Sequence, residues 1–216
     1  MTHPLGATPN DDDDHLHEEC AVFGVYGSPE ASVVTALGLH ALQHRGQEAC
    51  GIVTFDGKNF HAHRGLGHVG ENFSANSEHI DALVGHVAIG HNRYSTTGSS
   101  RSCNAQPLLR EYIGGQIAIG HNGNLVNAGL LRKAYEERGH MFQTSTDTEV
   151  ILVLLASHHL SHEDPILKTL EHLQGAYSLV MLFEDRIKAI RDPWGWRPLV
   201  LGETADGYPC VASETV

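Results

Sequence analysis

Cys20 lies where two very different segments of the sequence meet, and its type and position point to nucleophilic chemistry. Residues 11–19, DDDDHLHEE, are acidic and poor in apolar side chains, whereas CAVFGVYG (20–27) opens a β-prone apolar run without an intervening turn. If the preceding residues were removed, the Cys20 thiol would lie beside its own α-amine, whose pKa of about 7.7–8.0 suits a base near neutral pH. One N-terminal residue could then supply both attack and proton transfer. In an uncut chain, Cys20 would be an ordinary small buried residue of a strand.

Histidine pairs and an acidic run are the other groups whose types could bind metal ions. His61 and His63 share one face of a predicted strand, whereas His158 and His159 are adjacent on a predicted helix and diverge. Neither pair has a third ligand at a suitable spacing, and closed metal sites need three or four ligands. The run Asp11–Asp14 lacks the alternating spacing of a calcium loop, so a solvated, disordered tail is the better interpretation. We expect no metal ion in this chain.

Composition places the chain among ordinary globular proteins. Its 216 residues are 41% hydrophobic and 19% charged, which is enough for one good-sized core. The formal net charge is −12, and residues 1–19 carry six acids and no Lys or Arg, so the remainder has a net charge of only −6. This acidity argues against nucleic acid or an anionic membrane as a main partner.

Targeting signals and cysteine usage indicate the compartment. The first residues lack the basic start and apolar core of a secretory signal, and no stretch approaches the roughly 18 apolar residues of a membrane helix. The four cysteines are widely spaced and form no CxxC pair. These features are typical of reduced thiols in a cytoplasmic protein.

Several predicted elements position these residues in the first half of the chain. Ser28 and Pro29 have the order of an N-cap and a first helical residue, which predicts a helix over 29–44. The stretch 44–67 is predicted to be a loop followed by a β-hairpin that turns at Asp56–Gly57.

Two nearly identical hexapeptides, VAIGHN (87–92) and IAIGHN (117–122), are thirty residues apart. Each reads as the end of a strand. We interpret them as neighbouring strands that deliver two loops to one place.

The second half of the chain contains helices in pairs and strands in runs. Asn127 is predicted to cap a polar helix that reaches Arg138, and Thr146 and Glu149 have the spacing of a capping box at the start of a helix over 145–160. A further helix is predicted at 163–173, and strands at 176–183, 186–192, 198–202 and 210–213. Because strict βαβ alternation is rare, this pattern favours an α+β layered fold. The pattern stops in mid-course at CVASETV, so we expect a fragment of a longer protein.

Six motifs occur in an order that is specific to one enzyme family. They are CAVFGVYG, LQHRGQEACGI, GHNRYSTTGSS, GHNGNL, TSTDTE and RDPWGWRPLVLG. Together they resemble the N-terminal class II glutaminase domain of the glutamine phosphoribosylpyrophosphate amidotransferases, or amidophosphoribosyltransferases, from Cys20 to the end of the chain. Other class II amidotransferases typically carry a YRGYDS-like stretch where this chain has HRGQEA.

The resemblance implies a fold and a domain organisation. The fold would be that of the N-terminal nucleophile hydrolases, a four-layer αββα sandwich with mainly antiparallel sheets. Residues 1–19 would be a propeptide that is removed to free Cys20, and 20–216 would be the class II glutamine amidotransferase domain. A phosphoribosyltransferase domain, absent from this chain, would follow and would bind Mg²⁺, and we expect a homo-oligomer. Val216 stands where members with an iron–sulfur cluster have their first cysteine ligand, which argues against a cluster.

The resemblance also implies a reaction and its catalytic residues. Cys20 would attack the side-chain amide of glutamine, and the full enzyme would combine the released ammonia with phosphoribosylpyrophosphate to make 5-phosphoribosylamine, the first step of de novo purine biosynthesis. The intermediates are oxyanions, which need preset donors. By resemblance these are the side-chain amide of Asn122 and the backbone N–H of Gly123. From the sequence alone, this Asn-Gly pair is equally a plain turn.

Substrate-binding residues follow from the same resemblance. Arg93 matches the arginine that binds the α-carboxylate of glutamine, and Asp147 matches the aspartate that binds the α-ammonium. Arg45 and Gly46 match the loop beside the nucleophile. The simpler alternatives are a solvated surface arginine and an aspartate that favours a helix dipole. Further hydroxyl or backbone contacts could come from Ser95, Thr96, Thr97 and Gly98.

Two other functions stay open at this point. In one, the leader remains attached, Cys20 is structural, and the chain is a non-catalytic module that binds an amino acid or a partner. In the other, the chain is a class II amidotransferase with a different acceptor. Alkylation of Cys20 by a glutamine-analogue electrophile would distinguish the first alternative from a glutaminase.

Overall fold

Ten strands in two antiparallel sheets form the centre of the protein. The computed structural model describes residues 20–74, 77–94, 101–159 and 163–215, so the predicted leader lies outside the described residues. Its strands are β1 (Ala21–Tyr26), β2 (Ala49–Phe55), β3 (Phe60–Leu66), β4 (Val87–Arg93), β5 (Leu108–Tyr112), β6 (Gly115–Leu125), β7 (Gly175–Leu182), β8 (Ile187–Arg191), β9 (Val200–Glu203) and β10 (Pro209–Ala212). One sheet has the order β3-β2-β4-β1-β10-β9 and the other β5-β6-β7-β8. Every strand pair is antiparallel.

Six short to medium helices cover the outer faces of these sheets. They are α1 (Ala31–Ala41), α2 (Val69–Asn72), α3 (Glu78–Ala82), α4 (Ala128–Glu136), α5 (Asp147–His158) and α6 (Pro165–Leu170). Helix α1 packs on β1, β2 and β4, whereas α5 packs on β5 and β6 and contacts α4 and α6. The layers therefore follow the predicted αββα order.

Side chains alternate between the two faces of each strand. They therefore form one hydrophobic core between the two sheets and another between the six-stranded sheet and α1. In β1, Val22 faces the second sheet and packs with Ile89 and Val180, whereas Phe23 faces α1 and packs with Leu39. Successive strand residues point to opposite faces, so a strand buried on both sides is apolar throughout. This explains why β1 and the first four residues of β4, 87–90, read as continuous apolar runs rather than as alternating ones.

The predicted hairpin turn at Asp56–Gly57 is confirmed. Phe55 pairs with Phe60, and Asp56 Oδ1 accepts the N–H groups of Lys58 and Asn59 at 2.7 and 2.6 Å. Gly57 has φ +95°, a left-handed conformation that glycine adopts without a steric penalty.

The predicted helix-capping interactions differ from those in the structure. Helix α1 begins at Ala31 rather than at Pro29, and Ser28 Oγ accepts the N–H of Glu30 in a turn before the helix. Asn127 is at the N-cap position of α4, but its side chain bonds the backbone of residues 172 and 174 instead. The Thr146 side chain does not cap α5 either. Ser28 and Asn127 thus bond backbone groups outside their helices, whereas Thr146 Oγ1 lies 2.9 Å from the hydroxyl oxygen of Thr144.

The interpretation of the two hexapeptides as neighbouring strands of one sheet is wrong. VAIGHN lies in β4 of the six-stranded sheet and IAIGHN in β6 of the four-stranded sheet. The strands face each other across the sandwich, where the Nε2–H of His91 lies 3.0 Å from the carbonyl oxygen of His121. The ends of the two strands still lie in one place, because the strands face each other across the space between the sheets. They are not hydrogen-bonded neighbours in one sheet.

None of the helices in the described ranges is long and apolar enough to cross a membrane.

Candidate active site

Four of the residues proposed from the sequence line one cavity of about 220 Å³ at the end of the sandwich. They are Cys20, Arg93, Gly123 and Asp147, which come from the residue before β1, the end of β4, the end of β6 and the start of α5. Each lies at a strand end or helix start on the same side of the fold. The cavity therefore combines a thiol, a guanidinium and a carboxylate that are far apart in sequence.

Cys20 has an unusual backbone conformation that is held by its neighbours. Its φ is +74°, and it is the only residue other than glycine with a positive φ in the described ranges. The Cys20 N–H donates to the carbonyl of Arg45 at 3.0 Å, and Arg45 Nε donates to the carbonyl of Cys20 at 3.1 Å. The thiol lies 3.4 Å from the carbonyl oxygen of Tyr94. A strained conformation of this kind persists only where surrounding contacts over-determine it.

The Arg45–Gly46 turn lies directly against the end of β4. A Cβ on Gly46 would approach the carbonyl carbons of Asn92 and Arg93 to 2.9 Å, closer than real Cβ atoms come. The N–H of Glu48 donates to the carbonyl of Arg93 at 3.0 Å. Gly46 thus allows the chain to pass close to the end of β4, and Arg45 contacts the backbone of Cys20.

Arg93 is a buried cation at the cavity wall. Only 6% of the residue is exposed, yet its guanidinium has no hydrogen bond or ion pair to any of the residues that the structure describes. A buried charge without a counter-ion is costly, so an anionic group in the cavity would be strongly favoured at this point. The adjacent residues 95–98, for which further contacts were predicted, lie outside the described residues.

Asp147 is the first residue of α5 and also lines the cavity. Its Oδ2 accepts the N–H of Leu125 at 2.9 Å, and its Oδ1 is 3.5 Å from Nδ1 of His121. Burial raises the pKa of the Asp147 carboxyl, but His121 and the N–H groups of Leu125 and Thr148 outweigh it, so the pKa lies below its usual value. Asp147 is therefore ionised at neutral pH, and it lies both in the first turn of a helix and at the wall of the cavity.

Asn122 and Gly123 differ in their access to the cavity. Gly123 lines it and has φ +147°, and a Cβ there would come within 2.1 Å of the carbonyl oxygen of Ala176. Only glycine fits this position. Asn122 is fully buried, and neither its amide oxygen nor its nitrogen has a partner in the part of the chain that is described. An unpaired buried amide is expensive, which favours a ligand that would use it.

A hydrogen-bond network that the sequence did not predict connects β6, which contains Gly123, with α5, which begins at Asp147. Gln106 Oε1 accepts the N–H of His121 at 2.9 Å, and Gln106 Nε2 donates to Thr148 Oγ1 at 3.0 Å. Nδ1 of His121 is 3.2 Å from the same Thr148 oxygen. His121 is two residues before Gly123, and Thr148 directly follows Asp147. The network therefore fixes the position of Gly123 relative to Asp147. The repeated GHN could have drawn attention to His121, but nothing in the sequence marks Gln106.

Glu149 also departs from its predicted capping role. Its carboxylate accepts the N–H groups of Gln143 and Thr144 and the hydroxyl of Thr144, at 2.7 to 3.1 Å, rather than the backbone of Thr146. It therefore folds the 143–146 loop over the start of α5, where Thr146 lines the cavity.

The histidines considered as metal ligands have other partners. His61 pairs with Asp56 at 2.9 Å, His63 stacks on His79, and His158 stacks on His172. Within the described ranges, no group of three or more His, Cys, Asp or Glu side chains is placed to hold a metal ion.

We expect buried His91 to make the protein less stable at mildly acidic pH. Burial lowers the His91 pKa to about 3, whereas the unfolded chain protonates histidine near 6.5. The unfolded state then binds more protons, so stability falls as the pH drops from 6.5 toward 3. Between pH 7.5 and 5, His91 alone should remove about 2 kcal/mol of unfolding free energy. Urea unfolding at both pH values measures this loss.

A variant comparison isolates the contribution of His91. His91→Gln can still donate to the His121 carbonyl but does not titrate, so it should lose less stability between the two pH values than the parent. His86→Gln, at an exposed position, should retain the parent's pH dependence. Equal pH dependence in the parent and in His91→Gln would contradict the assignment.

Comparison with known proteins agrees with this geometry. Residues 91–216 match the family described as glutamine amidotransferase domain. The amidophosphoribosyltransferase of Rhizobium etli is 49% identical over 205 residues, which cover 94% of this chain and 41% of the relative. The amidophosphoribosyltransferase of Bacillus subtilis is 47% identical over 202 residues, which cover 93% of this chain and 42% of the relative. The chain thus spans about two-fifths of the length of these relatives.

Solved structures share the fold as well as the sequence. The allosteric regulatory enzyme of purine biosynthesis is 44% identical with a TM-score of 0.84, over 91% of this chain and 42% of that one. The Bacillus subtilis glutamine phosphoribosylpyrophosphate amidotransferase, in complex with ADP and GMP, is 44% identical with a TM-score of 0.81, over the same shares of the two chains. The αββα arrangement is therefore the N-terminal nucleophile hydrolase fold, and the chain belongs to the glutamine amidotransferase domain family.

Proposed function

We propose that this chain is the glutaminase part of an amidophosphoribosyltransferase. It hydrolyses the side-chain amide of glutamine, and a phosphoribosyltransferase part of the same protein combines the ammonia with phosphoribosylpyrophosphate to give 5-phosphoribosylamine for purine synthesis. The observation that carries the proposal is the single cavity that holds the Cys20 thiol, the Arg93 guanidinium and the Asp147 carboxylate. Relatives that are 47–49% identical and longer than this chain support the acceptor chemistry.

The reaction begins with attack of Cys20 Sγ on the amide carbon of glutamine. The Cys20 α-amine accepts the thiol proton, directly or through a water, and the amide oxygen becomes an oxyanion. The amide of Asn122 and the N–H of Gly123 donate to that oxyanion. Collapse breaks the C–N bond, the leaving nitrogen takes the proton and departs as ammonia, and a thioester remains. Water then attacks the thioester through a second oxyanion, which releases glutamate and restores the thiol.

Glutamine is recognised by its own zwitterion. The Arg93 guanidinium pairs with the α-carboxylate, which gives the buried cation its counter-ion. The ionised Asp147 pairs with the α-ammonium at the other side of the cavity. Arg45 and Gly46 contribute by shaping the backbone beside Cys20 rather than by binding glutamine. Compounds that lack either charge would leave one of these groups unpaired, so the clamp selects amino acids.

The proposal requires residues 1–19 to be a propeptide. An α-amine on Cys20 exists only when the bond between Glu19 and Cys20 has been cut. The Cys20 backbone nitrogen already lies 3.0 Å from the Arg45 carbonyl, which could accept a hydrogen bond from a freed amine as well. Mature protein should therefore begin at Cys20.

Intact mass and N-terminal sequencing of the purified protein test this requirement. We expect loss of residues 1–19 and stoichiometric alkylation of Cys20 by 6-diazo-5-oxo-L-norleucine. An uncut chain that nevertheless hydrolyses glutamine would rule out the α-amine as the base. A chain that is neither cut nor alkylated would support the non-catalytic module instead.

Further features of the whole protein belong to the same proposal. Mg²⁺ would act with phosphoribosylpyrophosphate outside this chain, and neither a resident metal nor an iron–sulfur cluster is proposed here. We place the protein in the cytoplasm as a homo-oligomer, without a nucleic acid or membrane partner. Sedimentation of the full-length protein tests the oligomer.

A further inference from the structure

Glu214 lies two residues after β10. It contacts His44 and Arg45, in the loop beside Cys20, although it is far from them in sequence. Its Oε2 accepts a hydrogen bond from Nη1 of Arg45 at 3.3 Å, and its Oε1 is 2.5 Å from Nε2 of His44. These residues are about 170 positions away in sequence. Neither the catalytic roles proposed above nor the sequence motifs account for this carboxylate.

Arg45 needs such a partner because it is almost completely buried. Its side chain is 3% exposed, whereas the Glu214 side chain is 32% exposed. A buried guanidinium loses its hydration, and a carboxylate at hydrogen-bond distance restores part of that free energy. Replacing the carboxylate by a neutral group would weaken this charged contact, one of those that hold the Arg45 guanidinium in place.

Arg45 in turn brackets the backbone of Cys20. Its Nε donates to the Cys20 carbonyl at 3.1 Å, and its own carbonyl accepts the Cys20 N–H at 3.0 Å. These two bonds lie on either side of the Cys20 Cα and fix the direction of its side chain, and both backbone groups remain when Cys20 is the N-terminal residue. A shift of Arg45 would release this constraint and misdirect the thiol.

The position of Glu214 is itself fixed against the first strand. The neighbouring Ser213 accepts the N–H of Val22 on its Oγ at 2.9 Å and donates its own N–H to the Val22 carbonyl at 3.0 Å. Val22 is two residues after Cys20 in β1. The carboxylate therefore follows directly on a strand that is paired on both sides, which fixes its position as a positioning group requires.

We infer that Glu214 is a positioning residue that holds the nucleophile Cys20 through Arg45. The inference rests on the proposed function, because it assumes that Cys20 attacks glutamine. Glu214 does not line the cavity and contacts neither Arg93 nor Asp147. Its loss should therefore affect the reacting atom and leave the binding of glutamine nearly unchanged.

The test is Glu214→Gln, which preserves size and removes the charge. We expect kcat for glutamine hydrolysis to fall about tenfold with KM within about twofold, because misplacement of a reacting group by an ångström costs up to about 100-fold. The rate constant for alkylation of Cys20 by 6-diazo-5-oxo-L-norleucine should fall by a similar factor. Glu214→Asp, which keeps the charge on a shorter arm, should recover part of both losses. Thermal unfolding of each variant shows that it is folded.

Glu203→Gln is the matched control, since Glu203 is an exposed glutamate of β9 in the same sheet. It should behave like the parent. Parent-like kcat in Glu214→Gln, or a raised KM with unchanged kcat, would overturn the inference. If Glu214→Gln does not fold, Glu214→Asp decides: lowered kcat at constant KM supports the inference, and parent-like kcat rejects it. A parent that neither hydrolyses glutamine nor is alkylated rejects the proposed function itself, which distinguishes the two failures.

Discussion

Replacing Cys20 by alanine should abolish glutamine hydrolysis. Cys20 is the one cysteine among the described residues that line the cavity, so without it no thioester forms and kcat should fall by at least about 10⁴-fold, as when the nucleophile of a serine protease is removed. A coupled assay for glutamate measures the loss. The substitution removes one sulfur at a half-buried position, so thermal unfolding should change little.

The other thiols provide the control for this prediction. Cys50 is buried, which raises its pKa to about 12, so it remains a protonated, unreactive thiol at neutral pH. Cys103 is exposed, and Cys103→Ser should keep full activity. The glutamine analogue should label the parent and Cys103→Ser once each, at Cys20, and should not label Cys20→Ala. Glutaminase activity in purified Cys20→Ala would refute the mechanism.

Neutralising either side of the amino-acid clamp should raise KM for glutamine about 100-fold with a much smaller change in kcat. Arg93→Gln removes the charge that pairs with the α-carboxylate, and Asp147→Asn removes the charge that pairs with the α-ammonium while its amide oxygen can still accept the N–H of Leu125. A hydrogen bond between charged groups contributes about 1.5–3 kcal/mol, which corresponds to this change in KM. Steady-state kinetics with glutamine measures it, with exposed Arg186→Gln as the control.

Substrate analogues show which charge each residue binds. Glutaramate, which is glutamine without its α-ammonium, should be a poor substrate for the parent and no worse for Asp147→Asn. 4-Aminobutyramide, which lacks the α-carboxylate, should show the same insensitivity to Arg93→Gln. If kcat/KM falls by the same factor for both analogues in both variants, Arg93 and Asp147 support the cavity without contacting the charges of glutamine. Two groups that do not contact each other have no interaction free energy in such a double-mutant comparison.

Short contiguous motifs, which together resemble one enzyme family, led from the sequence to four residues that line the cavity. The Cys20 seam, the Asn122–Gly123 pair and Asp147 at a helix start each combine a chemically specific residue with a local backbone that the sequence also specifies. The apolar run at residues 20–27 likewise predicted the strand β1. Local information was sufficient there because each feature lies within one turn or one strand.

Helix capping and strand pairing were less predictable because they depend on distant partners. The sequence predicted capping roles from residue type and spacing, but the side chains bond other groups. Ser28, Asn127 and Glu149 bond backbone groups outside those roles, and Thr146 bonds the Thr144 hydroxyl. The pairing of the two hexapeptides was misread for the same reason: identical patterns fit neighbours in one sheet and partners across two.

The sequence by itself determined which side chains carry the candidate chemistry, a cysteine, an arginine and an aspartate in recognisable motifs, and it indicated an α+β layered fold. Only the tertiary structure decided how these groups meet, because the cavity is closed by residues from β1, β4, β6 and α5. It also revealed Gln106, which bonds both β6 and α5, and Glu214, which holds Arg45 from the far end of the chain. Such residues have no local signature, since their role is defined by the distance to atoms that packing alone brings near.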